Sequence, residues 1–122
     1  MIRIGVLGST NGTDLQVILN AIAKKRLRAD ISVVISNRKN AFILKRAENH
    51  NIQHSYVSHL HMNREEFDHK VTNILEKHKV DLVLLIGFMR ILSKSFCKHW
   101  SGKILNVHPS LLPKYSGGMD ED

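Results

Sequence analysis

The alternation of two kinds of apolar segment constrains the fold of this chain most strongly. Short apolar or β-branched runs alternate with segments whose apolar residues recur every three or four positions. The first kind is typical of strands buried on both faces, and the second of amphipathic helices. The expected strands are 2–7, 31–36, 52–57, 82–86 and 104–107. Such an alternation predicts an α/β fold, in which helices flank a Rossmann-like, mostly parallel sheet.

Two of the expected helices follow asparagines, which are favourable N-cap residues. Asn40 is expected to cap a helix that begins at Ala41, and Asn63 is expected to cap the next one. In the helix after Asn40, the apolar pattern leaves Lys45 and Arg46 pointing towards solvent.

Length and composition indicate one globular domain over residues 1–122. The longest apolar run, 82–86, is far too short to span a bilayer, so we expect no membrane partner. The single cysteine, Cys97, excludes an internal disulfide and any cysteine-based metal site within the chain. The chain begins on a strand pattern rather than a signal peptide, and we therefore expect a cytoplasmic protein.

The formal net charge of +7 favours an anionic partner. A phosphorylated metabolite, a carboxylate-rich cofactor and a nucleic acid all fit that charge. Nucleic acid is the least favoured of the three, because the basic residues are dispersed and the few aromatic residues are too scattered to stack bases.

The loop "LGSTNGTDLQ", residues 7–16, is the first candidate site. Gly8 and Gly12 would let the backbone approach a ligand, and the free N–H groups at a helix start bind anions. The loop contains neither the G-x-G-x-x-G fingerprint nor a P-loop, so a plain tight turn fits equally well. Asp14 either caps the helix or places a carboxylate beside the anion, which is repulsive.

Arg64, directly after Asn63, is the second candidate. A cation in the first turn of a helix opposes the helix dipole. Arg64 is either a solvated side chain whose charge Glu65 and Glu66 offset, or a contact for an anion.

The third candidate is the end of the last strand, "KILNVHPSLLPKY". Residues two apart on a strand point to the same side, so Asn106 and His108 share a face. Pro109 favours an extended backbone at His108, which keeps that arrangement to the end of the strand. A carboxamide and an imidazole together can stabilise a developing oxyanion and move a proton near neutral pH. The alternative is a strand end with a hydrogen-bonded histidine.

Two weaker signals are set aside. His59 and His61 would share a face if extended, but no third ligand is spaced to complete a metal site. Cys97 lies beside two lysines without a partner pattern and is interpreted as an inert thiol.

The stretch "GFMRILSKSFCKHWSGKILNVHPSLLPKY", residues 87–115, closely resembles the glycinamide ribonucleotide transformylases, the phosphoribosylglycinamide formyltransferases of purine biosynthesis. The stretches "GSTNGTDLQ" and "SNRKNAFILKRA" are similar to the same family. The resemblance runs in register along the whole chain and implies the formyltransferase fold. It also implies transfer of a formyl group from N10-formyltetrahydrofolate to the amine of glycinamide ribonucleotide, with no metal.

The resemblance assigns the site residues by position. Those expected to bind the phosphate of the ribonucleotide are Gly12, Thr13 and Asp14. Those expected to bind the folate are Arg64, Met89, Arg90, Ile91, Leu92 and Asn106. The expected catalytic pair is Asn106 and His108. The family usually has Asn where this chain has Asp14, so phosphate binding there is expected to rest on backbone N–H groups.

A departure from the family lies at the end of the chain. The family's third catalytic residue is an aspartate well downstream of the Asn-x-His motif, and this sequence ends at Asp122. The expectation is a C-terminally incomplete enzyme, truncated after the motif, with little or no activity alone. Exposed apolar surface on its last strands would then promote self-association.

Other functions remain open at this point. Methionyl-tRNA formyltransferase and formyltetrahydrofolate hydrolase share the Asn-x-His core, although the first loop and "HPSLLPKY" favour the ribonucleotide enzyme. A non-catalytic remnant that binds an anion or a nucleic acid is the alternative from a different class.

Overall fold

The structure is a computed structural model that describes residues 1–107. It contains one five-stranded parallel sheet flanked by helices, as the alternation predicts. The elements in chain order are β1 (Ile2–Gly8), α1 (Thr13–Ala23), β2 (Ala29–Ser36), α2 (Phe42–Asn49), β3 (His54–Tyr56), α3 (Arg64–Lys77), β4 (Leu82–Ile86), α4 (Lys94–His99) and β5 (Ile104–Val107). The predicted α/β, Rossmann-like fold is confirmed.

The order of the strands, β3-β2-β1-β4-β5, places β1 in the middle of the sheet. The chain first adds strands on one side of β1 and then crosses to the other side with β4. In open parallel sheets, ligands bind beyond the carboxyl ends of the strands where the order reverses in this way. The fold therefore directs attention to the loops after β1 and β4.

Each face of the sheet is covered by one pair of helices. Leu15 of α1 and Ile43 of α2 pack on one face, with Ile4 and Val6 of β1. Phe67, Val71 and Leu75 of α3 and Phe96 of α4 belong to the core on the opposite face, with Leu7 of β1 and Val83 of β4. Because β1 contributes to both cores, it is apolar from Ile4 onward, and its charged residue, Arg3, lies near its start.

The start of α3 confirms the predicted cap. The Asn63 side chain accepts a hydrogen bond from the Glu66 N–H at 2.8 Å. The Glu66 carboxylate accepts one from the Asn63 N–H at 2.9 Å. This reciprocal capping box fixes where α3 begins, and so where Arg64 lies.

The predicted cap at Asn40 is wrong. The N-cap residue of α2 is Ala41, which has an extended backbone and no side-chain cap. The N–H of Ile43 instead donates to the Thr10 carbonyl at 3.1 Å. A backbone group from the loop after β1 thus satisfies the helix start.

Two strands deviate from a simple buried pattern. β3 is shorter than the expected 52–57, because it pairs with β2 along three residues only. On β5, Leu105 is 56% exposed. The expected self-association through such apolar surface stays a prediction.

Within residues 1–107, no helix is long and apolar enough to cross a membrane.

Truncation of Leu75 is expected to be far more destabilising than the same change at Leu60. Leu75 is fully buried, whereas Leu60 is 62% exposed. Leu75→Ala should lower the free energy of unfolding by about 2–5 kcal/mol, because it leaves a cavity between α3 and the sheet. Leu60→Ala, the matched control, should change it by no more than about 0.5 kcal/mol. Urea denaturation measures both, and similar losses for the two variants would contradict the assignment of the core.

Candidate functional site

A cleft of about 260 Å³ lies at the carboxyl end of the sheet, where β1, β4 and β5 finish. The residues that line it are Thr10, Gly12, Thr13, Asp14, Ile86, Gly87, Phe88, Met89, Asn106 and Val107. Residues from three separate parts of the sequence meet here. This is the crevice that the order of the strands predicts.

The loop after β1 presents the start of α1 to the cleft. Gly12 is the N-cap residue, and its left-handed backbone (φ 69°, ψ 31°) turns the chain into the helix. Gln16 donates its N–H to the Gly12 carbonyl at 3.1 Å. The preceding N–H groups, those of Thr13, Asp14 and Leu15, have no partner within the helix. A helix start of this kind attracts an anion.

Asp14 does not cap α1, so that interpretation is wrong. The helix begins at Thr13, one residue before Asp14, and Gly12 has no side chain with which to cap it. The partly exposed Asp14 side chain lines the cleft instead. Its carboxylate is favourable beside the positive end of the helix dipole, but repels an anion bound at the same place.

Helix α2 holds the loop after β1 in place. The Arg46 side chain donates from Nε to the Asn11 carbonyl at 2.6 Å. It also donates from Nη1 to the Gln16 side chain at 3.3 Å. Arg46 is therefore half-buried, and the prediction that it points to solvent is wrong. No local pattern reveals this contact, because Arg46 and Asn11 are 35 residues apart.

The loop after β4 brings apolar side chains to the edge of the cleft. Met89 is 60% exposed and Ile91 is 72% exposed. Exposed apolar residues at the rim of a cleft are typical of a surface that contacts a ligand. Met89 lines the cleft directly, and the rest of the expected folate segment, residues 90–92, follows it along the chain.

Arg90 in the same loop packs on α3. Its guanidinium lies 4.3 Å from the centre of the Phe67 ring, a cation–π arrangement. Among residues 1–107, the buried Nε of Arg90 has no hydrogen-bond partner. The contact holds a positive charge at the start of α3.

Arg64 is exposed and is the first residue of α3. It takes part in none of the salt bridges within the described part of the chain. Glu66, one of the acidic residues expected to offset its charge, is engaged in the capping box. Arg64 begins the helix on which Arg90 packs through Phe67. Arg64 does not line the cleft.

Asn106 lies on β5, where it pairs with Leu85 of β4. Its side chain is exposed and lines the cleft together with Thr13 and Asp14. His108 lies outside the described residues, so its position relative to Asn106 stays a prediction.

Sequence reasoning assigned no role to five residues that line the cleft, which are Thr10, Ile86, Gly87, Phe88 and Val107. A signal for Gly87 was present, since a glycine directly after an apolar strand often marks a sharp turn. Its backbone is left-handed (φ 58°), and a Cβ added there would lie 2.7 Å from the Thr10 hydroxyl oxygen.

The two weaker signals lie away from the cleft. His61 lies in a turn and has a positive φ, and His59 precedes that turn, so the pair is not on one extended segment. No group of three or more potential metal ligands occurs within residues 1–107. Cys97 is an exposed, free cysteine on α4.

Comparison with known proteins identifies relatives over nearly the whole chain. The sequence profile of the family described as formyl transferase matches residues 2–120. The phosphoribosylglycinamide formyltransferase of Escherichia coli is 40% identical over 116 residues, which are 94% of this chain and 55% of that protein. The human trifunctional purine biosynthetic protein adenosine-3 is 42% identical over 116 residues, which are 12% of that protein.

Solved structures agree with this comparison. The phosphoribosylglycinamide formyltransferase of Coxiella burnetii superposes with a TM-score of 0.85 at 44% identity, over 95% of this chain and 55% of that chain. The glycinamide ribonucleotide transformylase 1 of Symbiobacterium toebii gives a TM-score of 0.85 at 39% identity, over 96% and 56%. The chain thus spans about half the length of these bacterial relatives.

The turn at Gly12 is expected to tolerate no side chain. A Cβ added at Gly12 would lie 2.8 Å from Ile43 Cβ. The substituted residue would also have to adopt a left-handed backbone. Gly102 is the matched control, since its φ is 76° but an added Cβ meets no atom within 4 Å. Gly102→Ala should cost about 1–2 kcal/mol for the backbone alone. Gly12→Ala should cost clearly more in urea denaturation, and an equal loss would show that α2 does not constrain the loop.

Proposed function

Since the chain belongs to the formyl transferase family, we propose that it serves the transfer of a formyl group from N10-formyltetrahydrofolate to the amine of glycinamide ribonucleotide, in purine biosynthesis. Identity of about 40% to phosphoribosylglycinamide formyltransferases supports this acceptor over methionyl-tRNA or water. The observation that carries the proposal is the cleft in which the open start of α1 meets Asn106 and Met89.

We propose that the phosphate of the ribonucleotide binds at the start of α1. Gly12, Thr13 and Asp14 would contact it through their backbone N–H groups, which have no partner within the helix. Side-chain binding by Asp14 is disfavoured, because a carboxylate and a phosphate repel each other. The left-handed backbone of Gly12 supports this arrangement, since it turns the helix start towards the cleft.

The folate would bind along the loop after β4. Met89, Ile91 and Leu92 would supply apolar contacts for the ring system, and the first two are widely exposed. Arg90 and Arg64 would supply positive charge for the carboxylates of the folate, since Arg90 packs on Phe67 near the start of α3 and Arg64 is the first residue of that helix. The net charge of +7 agrees with two anionic ligands.

The chemistry proposed for Asn106 follows from the reaction itself. The substrate amine forms a bond to the formyl carbon and the bond from that carbon to N10 breaks. The attacking amine gives up one proton, and N10 takes one up. Negative charge gathers transiently on the formyl oxygen. The Asn106 amide would donate a hydrogen bond to that oxygen, and His108 would stabilise it and supply the proton.

Two further statements belong to the same proposal. Residues 1–122 form the N-terminal part of a single formyltransferase domain, which the match over residues 2–120 supports. The site of action is the cytoplasm, as a single cysteine and a metabolic substrate favour. The reaction as proposed uses no metal ion, with N10-formyltetrahydrofolate as the cosubstrate.

Titration of the chain with both ligands tests the proposal most directly. Isothermal titration calorimetry with glycinamide ribonucleotide and with a non-reactive folate analogue should give saturable binding of each. The alternative of a nucleic-acid-binding remnant predicts no binding of either ligand, and RNA or DNA affinity that falls steeply with salt. That second pattern would reject the proposed function.

Replacement of Asn106 is expected to impair the chemical step. Asn106→Ala should lower the residual rate of formyl transfer by this chain by about 10²–10³-fold, as the loss of one oxyanion donor does. Single-turnover formation of the folate product is the measurement, since it detects slow transfer. Leu105→Ala is the control on the same strand, because Leu105 points to the opposite face, and it should leave the rate within about twofold. Equal effects of the two variants would contradict the proposed role of Asn106 as a hydrogen-bond donor to the formyl oxygen.

A further inference from the structure

Ser9 occupies the position where the loops after three adjacent strands meet. It directly follows β1 and is 2% exposed. It lies within the first candidate loop, residues 7–16, but the sequence assigns it no role of its own, and it does not line the cleft.

The three hydrogen bonds of Ser9 reach both neighbouring strands. Its N–H donates to the Gly87 carbonyl after β4 at 3.1 Å. Its hydroxyl donates to the Asn37 side-chain oxygen after β2 at 2.6 Å. The same hydroxyl oxygen accepts the Met89 N–H at 2.8 Å. Asn37 is 5% exposed, so the polar contacts are shielded from water.

The direction of these bonds is informative. Met89 opens the segment that we assign to the folate, and its backbone N–H is fixed by a side chain from the loop assigned to the phosphate. Asn37 orients the Ser9 hydroxyl, because its side-chain oxygen accepts the hydroxyl hydrogen bond and leaves the Ser9 oxygen lone pairs for the Met89 N–H. The hydroxyl thus sets where Met89 and the residues after it lie.

We propose that Ser9 is a positioning residue that holds the loop of residues 87–92 in the shape that receives the folate. The inference rests on the proposed function and adds a residue that touches neither ligand. Its backbone bond to Gly87 does not depend on the side chain, so the loop after β1 keeps its place when the hydroxyl is removed. Loss of the hydroxyl therefore affects the folate side of the cleft and spares the phosphate side.

Ser9→Ala tests whether loss of the hydroxyl weakens folate binding and spares binding of the ribonucleotide. The variant leaves the Met89 N–H and the Asn37 oxygen without their partner. A loss of this size changes the equilibrium constant for folate binding by about tenfold. Calorimetric titration should show about tenfold weaker binding of a non-reactive folate analogue. The dissociation constant for glycinamide ribonucleotide should stay within about twofold of the wild-type value. Ser9→Cys keeps a weak donor and acceptor at the same position. Its folate affinity should therefore fall between those of the wild-type chain and Ser9→Ala.

A second readout needs no ligand. Hydrogen–deuterium exchange at the Met89 amide should be about tenfold faster in Ser9→Ala, because its acceptor is gone. Ser32→Ala is the matched control, since Ser32 is also buried and its hydroxyl bonds to Asp30, at the other end of β2. This control should change neither affinity nor the exchange of Met89.

Three results would overturn the proposal: unchanged folate affinity in Ser9→Ala, an equal loss for both ligands, or unchanged exchange at Met89. A wild-type chain that binds neither ligand would instead reject the proposed function. In that case the exchange rate of Met89 still decides whether Ser9 holds the loop.

Discussion

The parallel pairing of β1 with β4 is the constraint on which the rest of the structure depends. It runs from Ile4 opposite Leu82 to Gly8 opposite Ile86, and the Ser9 N–H extends it by one bond to Gly87. Because both strands point the same way, the loops that follow them must emerge side by side at one edge. Both faces of the pair are covered by helices, so the strands themselves carry apolar residues and polar chemistry is confined to that edge. The cleft is a consequence of this pairing.

Elements with a local signal could be predicted from the sequence. β1 and β4 are apolar runs of the right length, and α3 begins with Asn63 and Glu66 at the spacing of a capping box. Such signals act over a few residues and need no knowledge of the fold. The meeting of Gly12 and Asn106 in one cleft was also predictable, because parallel strands carry their loops to a common edge. Assigning ligands to these residues needed the family resemblance, since a tight turn or a strand end gives the same local pattern.

Contacts between distant segments had no such signal. Arg46 reads as a solvent-facing residue on α2, yet it donates to Asn11 in the loop after β1. Ser9 is 80 residues from Met89 and 28 from Asn37. At Asn40 a local signal was present but misleading, because the structure does not use this favourable capping residue as the N-cap of α2. The first turn of α2 already has a partner in the Thr10 carbonyl, and that contact exists only once β1 and β2 are side by side. Tertiary packing outweighs local preference at each of these positions.

The Asp14 carboxylate would have opposite effects on the start of α1 without a bound phosphate and with one. Without a ligand, a carboxylate in the first turn of α1 interacts favourably with the helix dipole and with N–H groups that have no helical partner. With a phosphate bound, the same carboxylate faces a like charge across the cleft. The side chain therefore stabilises the helix start and would oppose the proposed phosphate, so backbone groups would carry the binding. A chain that places Asp here depends more strongly on the exact turn at Gly12 than one with a neutral amide. Helix α2 holds the loop that contains this turn through two successive carbonyls, those of Thr10 and Asn11.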